Sequence, residues 1–290
     1  MIADSDERLV AWALLSRAAL TAPAAVRGLL AAHGPLEAAE RIAADARNSR
    51  IRPQTRAVAA HDLDRAHRFG GRLLTREDPG WPGMLADLDT IDAFAPIALW
   101  TRGPGQLNLL TEHAVAVVGA RACTSYGQKV ATSIASGLAA QGWTVLGGGA
   151  FGIDAAAHHA ALDAGRPTVA VLPCGLHRLF PHGNAHLLAS VEETGLLVSE
   201  YPPGVEPSRP HFLARNRIVA ALAAGIVVCE AGIRSGTANT VRWGNELHRP
   251  VTAVPGPIDS AASRGCHDLI RTGHGQLVVD AHDVLGVLAQ

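Results

Sequence analysis

From residue 114 onward, short apolar runs alternate with helical stretches. The runs are 114–119 (AVAVVG), 143–147 (WTVLG), 168–172 (TVAVL), 196–199 (LLVS), 225–229 (GIVVC), 251–254 (VTAV) and 277–279 (LVV). They are Val-rich and continuous, without apolar–polar alternation, which marks strands buried on both faces. The pattern predicts an α/β fold: a mainly parallel sheet with helices on both faces and right-handed crossovers. Ligands of such sheets bind outside the carboxyl ends of the strands. The residues just after each run are therefore the candidates.

The first 70 residues carry a different period. Leu9, Val10, Ala13 and Leu14 recur at helical spacing, as do Val26, Leu29 and Leu30. Gly34-Pro35 interrupts, a helix resumes over 36–46, and 56–69 forms a last helix rich in Arg and His. This predicts a small helical hairpin bundle of the SAM or helix-hairpin-helix kind over 1–74. The texture changes near 75, where Asp78-Pro79-Gly80-Trp81-Pro82-Gly83, Ala95-Pro96 and Arg102-Gly103-Pro104-Gly105 punctuate a connector over 75–113. That connector is expected to dock onto the sheet, as part of a second domain over 75–290.

Composition narrows the function classes. With 48% hydrophobic and 18% charged residues the chain holds enough apolar material for a core, which excludes disorder. Twenty-five basic and 26 acidic residues leave a net charge of −1, so a nucleic-acid site has to be local. Lys129 is the single lysine; the other cations are arginines, suited to bidentate phosphate contacts, although a GC-rich genome gives the same bias. Cys123, Cys174, Cys229 and Cys266 stand 51, 55 and 37 residues apart, too far for paired zinc ligands or a disulfide framework. The start MIADSDERLV lacks a basic-then-apolar leader, and no run approaches about 20 apolar residues. A cytoplasmic protein without membrane contact is expected.

Several strand ends carry anion-binding chemistry. Gly119-Ala120-Arg121 is followed by Thr124 and Ser125 at a helix start, where either hydroxyl caps the helix or meets an anion. Three glycines at 147–149 lead through Gly152 to Asp154, a carboxylate open to capping or to ligand contact. The loop is neither a Walker loop nor a full G-x-G-x-x-G motif. His158 and His159 follow on the helix, one expected to pack and the other to be exposed. Gly175 and Phe180 lie in the loop after 172, and Phe180 is open to base stacking or to packing. His177, His182 and His186 lack a fourth ligand at metal spacing, so no metal is expected. Arg215 and Arg217 point about 200° apart on a helix, so one can face phosphate while the other pairs with Glu200 or Glu230. Arg234 and Ser235-Gly236-Thr237 open a further helix with exposed amides and two hydroxyls, the best phosphate cradle in the chain. No nucleophile–base set or metal-linked carboxylate pair emerges, which favours binding over catalysis and calls for no cofactor.

Taken together, Val118-Gly119-Ala120-Arg121, Gly152-Ile153-Asp154-Ala155-Ala156-Ala157-His158, Ser199-Glu200-Tyr201-Pro202-Pro203-Gly204, Phe212 with Arg215-Asn216-Arg217, Ser235-Gly236-Thr237 and Val254-Pro255-Gly256 resemble the DNA-processing protein A family (DprA/Smf). The resemblance spans about 115–280 in family order. It implies an extended Rossmann-like domain behind a small helical one, binding of single-stranded DNA, protection of incoming strands, and loading of RecA during natural transformation. It also implies a homodimer, with Leu269 and Ile270 as candidate contacts or core residues. The candidate DNA-contacting set is Gly119, Arg121, Ser125, Gly149, Gly152, Gly175, Phe180, Arg215, Arg217, Ser235, Gly236 and Thr237. Arg52 and Arg56, in the helical part, should matter much less.

Three departures stand out. Phe151 replaces the family's usual basic residue, Arg178 and His182 stand where a lysine is usual, and the chain stops at Gln290, before the winged-helix domain of many relatives. The alternative is a nucleotide phosphoribohydrolase of the lysine-decarboxylase-like type, or a nucleotide-sensing module. The hydrolases need a Glu after their Gly-Thr, and here no carboxylate follows until Glu246.

Overall fold

The computed structural model describes residues 2–44 and 55–290; Arg52 lies outside the described residues. Among the described residues, three helices come first: α1 (Ile2–Ala19), α2 (Pro23–Ala44) and α3 (Arg56–Arg68). The Gly34-Pro35 break sits inside α2, with Gly34 at φ 72° between two helical segments. Thr55 caps α3 by accepting from the Val58 amide at 3.2 Å.

Among the described residues, nine strands then form one sheet. They are β1 (Gly71–Thr75), β2 (Ala98–Arg102), β3 (Ala114–Gly119), β4 (Thr144–Gly147), β5 (Thr168–Val171), β6 (Leu196–Ser199), β7 (Gly225–Glu230), β8 (Val251–Ala253) and β9 (Gln276–Leu277). Their order is β1-β2-β6-β5-β4-β3-β7-β8-β9. Every pairing from β6 to β9 is parallel, whereas β1 and β2 add to the β6 edge antiparallel. Within the connector stretch, β2 pairs with β6: Trp100 opposes Ser199 and Arg102 opposes Leu197. β1 runs through position 75, where the change of texture falls.

The remaining helices are α4 (Asp87–Thr90), α5 (Leu107–Glu112), α6 (Ser125–Ala140), α7 (Ile153–Asp163), α8 (Ala185–Thr194), α9 (Arg209–Ala221), α10 (Thr237–Glu246), α11 (Arg264–Thr272) and α12 (Ala281–Leu288). Alternate strand residues feed opposite layers. Ala116, Val118, Leu146 and Val228 pack towards α9, α10 and α11, with Leu269 and Ile270 half-buried against that core. Val115, Val117, Val145 and Val227 pack towards α6, α7 and α12. A third apolar cluster joins the N-terminal helices to the sheet, with Trp12, Leu14, Val26 and Ile42 beside Trp100, Ala170 and Leu172.

The chain leaves β3 towards β4, β5 and β6, then returns through α9 to β7 on the other side of β3. Connections thus diverge at the β3/β7 boundary, and their carboxyl ends enclose a crevice there. Among the described residues, no helix is long and apolar enough to cross a membrane, and no group of three or more His, Cys, Asp or Glu is placed to hold a metal.

Candidate anion-binding cleft

A cleft of about 580 Å³ opens at this divergence point. Its walls are the β3 turn (Gly119, Ala120, Arg121, Ala122), the glycine loop (Gly148, Ala150), Asp154 on α7, the inner face of α9 (Arg209, Phe212, Arg215, Asn216) and the α10 start (Ser235, Gly236, Thr237, Thr240). Six of the expected residues meet here: Gly119, Arg121, Arg215, Ser235, Gly236 and Thr237.

The β3 turn is held from below by Glu230. This buried carboxylate, at the end of β7, accepts from the Thr124 amide at 2.7 Å and the Thr124 hydroxyl at 2.6 Å. Thr124 in turn caps α6 through the Gly127 amide, at 3.2 Å. Capping thus falls to Thr124 and not to Ser125, which sits outside the cleft in a shallow depression beside Gln128 and Lys129. From the turn, Arg121 extends into solvent over the face of Phe212, its guanidinium carbon 4.6 Å from the ring centroid.

Arg215 forms the floor. It is 4% exposed and donates from Nη1 to the Val171 carbonyl, while its Nε has no partner. Its guanidinium lies so close to Gly148 that a Cβ there would sit 2.1 Å from Nη1, which is why glycine stands at 148. Burial lowers the Arg215 pKa to about 10 against the attraction of Asp154, so it stays charged near neutrality. Asp154 accepts from the Gly148 amide at 2.8 Å. Burial raises its pKa, opposed by Arg215 and by the Gly148 and Ala150 amides. The glycine loop therefore turns amides inward to Asp154, and Gly148 leaves room for the buried Arg215 guanidinium.

The structure does not bring Gly149, Gly152, Gly175, Phe180 or Arg217 to the cleft. Gly149 is fixed from behind, its carbonyl accepting from Asn184 Nδ2 at 3.0 Å. Gly152, at φ 77°, lets α7 press against the β3 turn; a Cβ would lie 2.2 Å from the Ala120 carbonyl oxygen. Gly175 donates to the Val205 carbonyl at 3.0 Å and backs onto Pro202. Phe180 packs edge-on behind Phe212, with centroids 6.0 Å apart.

Arg217 takes the structural role of the two α9 arginines. It donates to Glu200 at 2.7 Å, to the Ala93 and Phe94 carbonyls at 3.2 and 3.3 Å, and to the Ala214 carbonyl at 2.9 Å. Burial works against its charge, but Glu200 outweighs it and the pKa lies above the ordinary value. Arg209 went unpredicted. It lines the cleft from the first turn of α9, where Pro210 marks a helix start that the sequence advertises.

The fold and cleft define a Rossmann-like protein with a cationic crevice at the point where its connections diverge. The chain belongs to the DNA recombination-mediator protein A family, whose model matches residues 72–289. It is 46% identical to the putative DNA processing protein DprA of Mycobacterium tuberculosis, over 97% of this chain and 75% of that protein. With the DNA processing protein DprA of Streptococcus pneumoniae it shares 43% identity over 66% of each chain. The X-ray structure of the Streptococcus pneumoniae protein superposes with a TM-score of 0.73 at 32% identity, covering 96% of this chain and 95% of that one. DNA processing protein A from Helicobacter pylori, described for its single-stranded DNA binding mode, gives 0.67 at 26% identity, over 77% of this chain and 97% of that one.

Proposed function

We propose that this chain binds single-stranded DNA in the cleft, as a DNA-processing protein acting on incoming or recombining strands. One observation carries the reading: Arg121 and Arg209 line the cleft with no ion pair or hydrogen bond to a carboxylate among the described residues. Several arginines away from the cleft pair with carboxylates, as in Arg17–Asp62, Arg27–Asp89, Arg102–Glu192 and Arg249–Asp87. Unpaired guanidiniums around a concave surface, beside a helix start with no side-chain cap at Gly236, favour a polyanion. Phe212 adds a ring for an unstacked base.

From family membership we extend this to RecA loading in the cytoplasm by a homodimer, with Leu269 and Ile270 as candidate contacts or core residues. A helical module followed by a DNA-binding domain belongs to the same reading, with the boundary near 75 falling at the end of β1. The hydrolase alternative draws no support from α10: Glu246 stands at its far end, 3.6 Å from Arg242.

A gel-shift titration tests the central reading. Single strands should bind more tightly than duplex of the same sequence, and affinity should fall steeply with salt. Equal affinity for the two would overturn it.

A further inference from the structure

From the cleft wall outward, rings from α9 and two loops line up across the carboxyl edge of the sheet. Phe212 carries Arg121 on its face, and Phe180 meets Phe212 at 6.0 Å. His182 meets Phe180 edge-on at 5.8 Å. Gly183, the next residue, is where the ring of Phe151 rests: a Cβ on Gly183 would lie 2.8 Å from its Cε1 and 2.9 Å from its Cζ. Phe151 thus has one edge seated in the space left by a missing side chain, yet remains 45% exposed. Its chain neighbour Ala150 lines the cleft, so the ring stands immediately beyond the cleft's rim.

The core does not use this ring, which stands half-exposed next to the cleft that Arg121 and Arg209 line. We propose that Phe151 is a stacking platform for a nucleobase, at the far end of a track that begins at Arg121 and Phe212 and crosses the Phe180–His182 loop. This rests on the single-strand reading above. Charge complementarity selects the occupant: the unpaired guanidiniums call for a polyanion, and a single-stranded nucleic acid is one whose flat apolar faces are free. A duplex keeps those faces stacked, and an acidic peptide has none.

The test is fluorescence anisotropy with a labelled oligothymidine long enough to span cleft and track, across a salt series. Phe151→Ala should bind about fivefold more weakly or worse, with an unchanged salt slope because no phosphate contact is lost. Phe151→Trp should bind at least as tightly as the parent. Melting curves on both variants check that each is folded, which half-exposure of the ring favours. A parent that fails to bind the oligonucleotide would remove the single-strand reading itself. A parent that binds while Phe151→Ala binds equally well would overturn the track alone. Weaker binding by Phe151→Ala with a reduced salt slope would also overturn it, since the loss would then lie in phosphate contacts.

Discussion

At the scale of single residues, arginines of similar sequence context divide between ligand and scaffold according to what surrounds the guanidinium. Arg121 reaches solvent with only the Phe212 ring beneath it, whereas Arg217 is enclosed by Glu200 and three carbonyl oxygens. Arg121→Ala should therefore weaken single-strand binding by roughly 1–3 kcal/mol, reduce the salt slope by about one contact, and leave the melting temperature unchanged. Arg217→Ala should do the reverse. It leaves Glu200, whose side chain is only 15% exposed, without its cation, at a stability cost of roughly 3 kcal/mol. Arg56→Ala should alter DNA binding little, since Arg56 lies in the helical module bonded to Glu7 and Glu40. Anisotropy titrations and thermal melts on all three variants separate these outcomes; equal binding by folded Arg121→Ala and parent would exclude the cleft as the DNA site.

At the scale of elements, the β3 turn, the glycine loop and α7 act as one unit, and Gly152 is where they touch. Its φ of 77° and the 2.2 Å approach of its missing Cβ to the Ala120 carbonyl oxygen leave no room for a side chain. Gly152→Ala should lower stability by roughly 1–3 kcal/mol or more and loosen the turn that carries Arg121, so urea midpoint and DNA affinity should fall together. Affinity unchanged at a lowered midpoint would show that Arg121 does not depend on this contact. These elements were legible to different degrees. The Val-rich runs mark β3 to β8 to within a residue or two, because strands buried on both faces admit little but apolar side chains. β1 and β2 were hidden, being five residues each and set among Pro and Gly, and recognisable only through pairing with β6. The opposed directions of Arg215 and Arg217 follow from helical geometry, but which of them faces the cleft depends on Gly148 and Glu200, far away in sequence. Arg121 over Phe212 joins residues 91 positions apart, and no local spacing signals it.

At the scale of the whole molecule, one buried histidine ties stability to pH. His158 is completely buried on α7, its Nδ1 2.8 Å from the Thr168 hydroxyl, which itself donates to the Val145 carbonyl at 2.6 Å. The hydroxyl proton being used there, Nδ1 must carry the imidazole proton, and Nε2, which faces Gly147, is left as a bare lone pair without a partner. Burial lowers the pKa of His158 to about 4, with His159 and Arg215 adding repulsion. In the unfolded chain the group titrates near 6.5. Between these values the unfolded chain holds a proton that the folded chain refuses. The stabilisation is therefore complete above about pH 6.5 and is lost as pH falls towards 4, by up to about 3 kcal/mol. Asp154 acts in the opposite sense, because burial raises its pKa and the folded state takes up its proton more readily. Urea titrations at about pH 7 and about pH 5 should show the parent losing stability on acidification. His158→Gln removes the titrating group, so whatever uniform loss it brings, its midpoint should fall less between the two pH values. Parallel pH dependence in parent and variant would trace the acid sensitivity to some group other than His158.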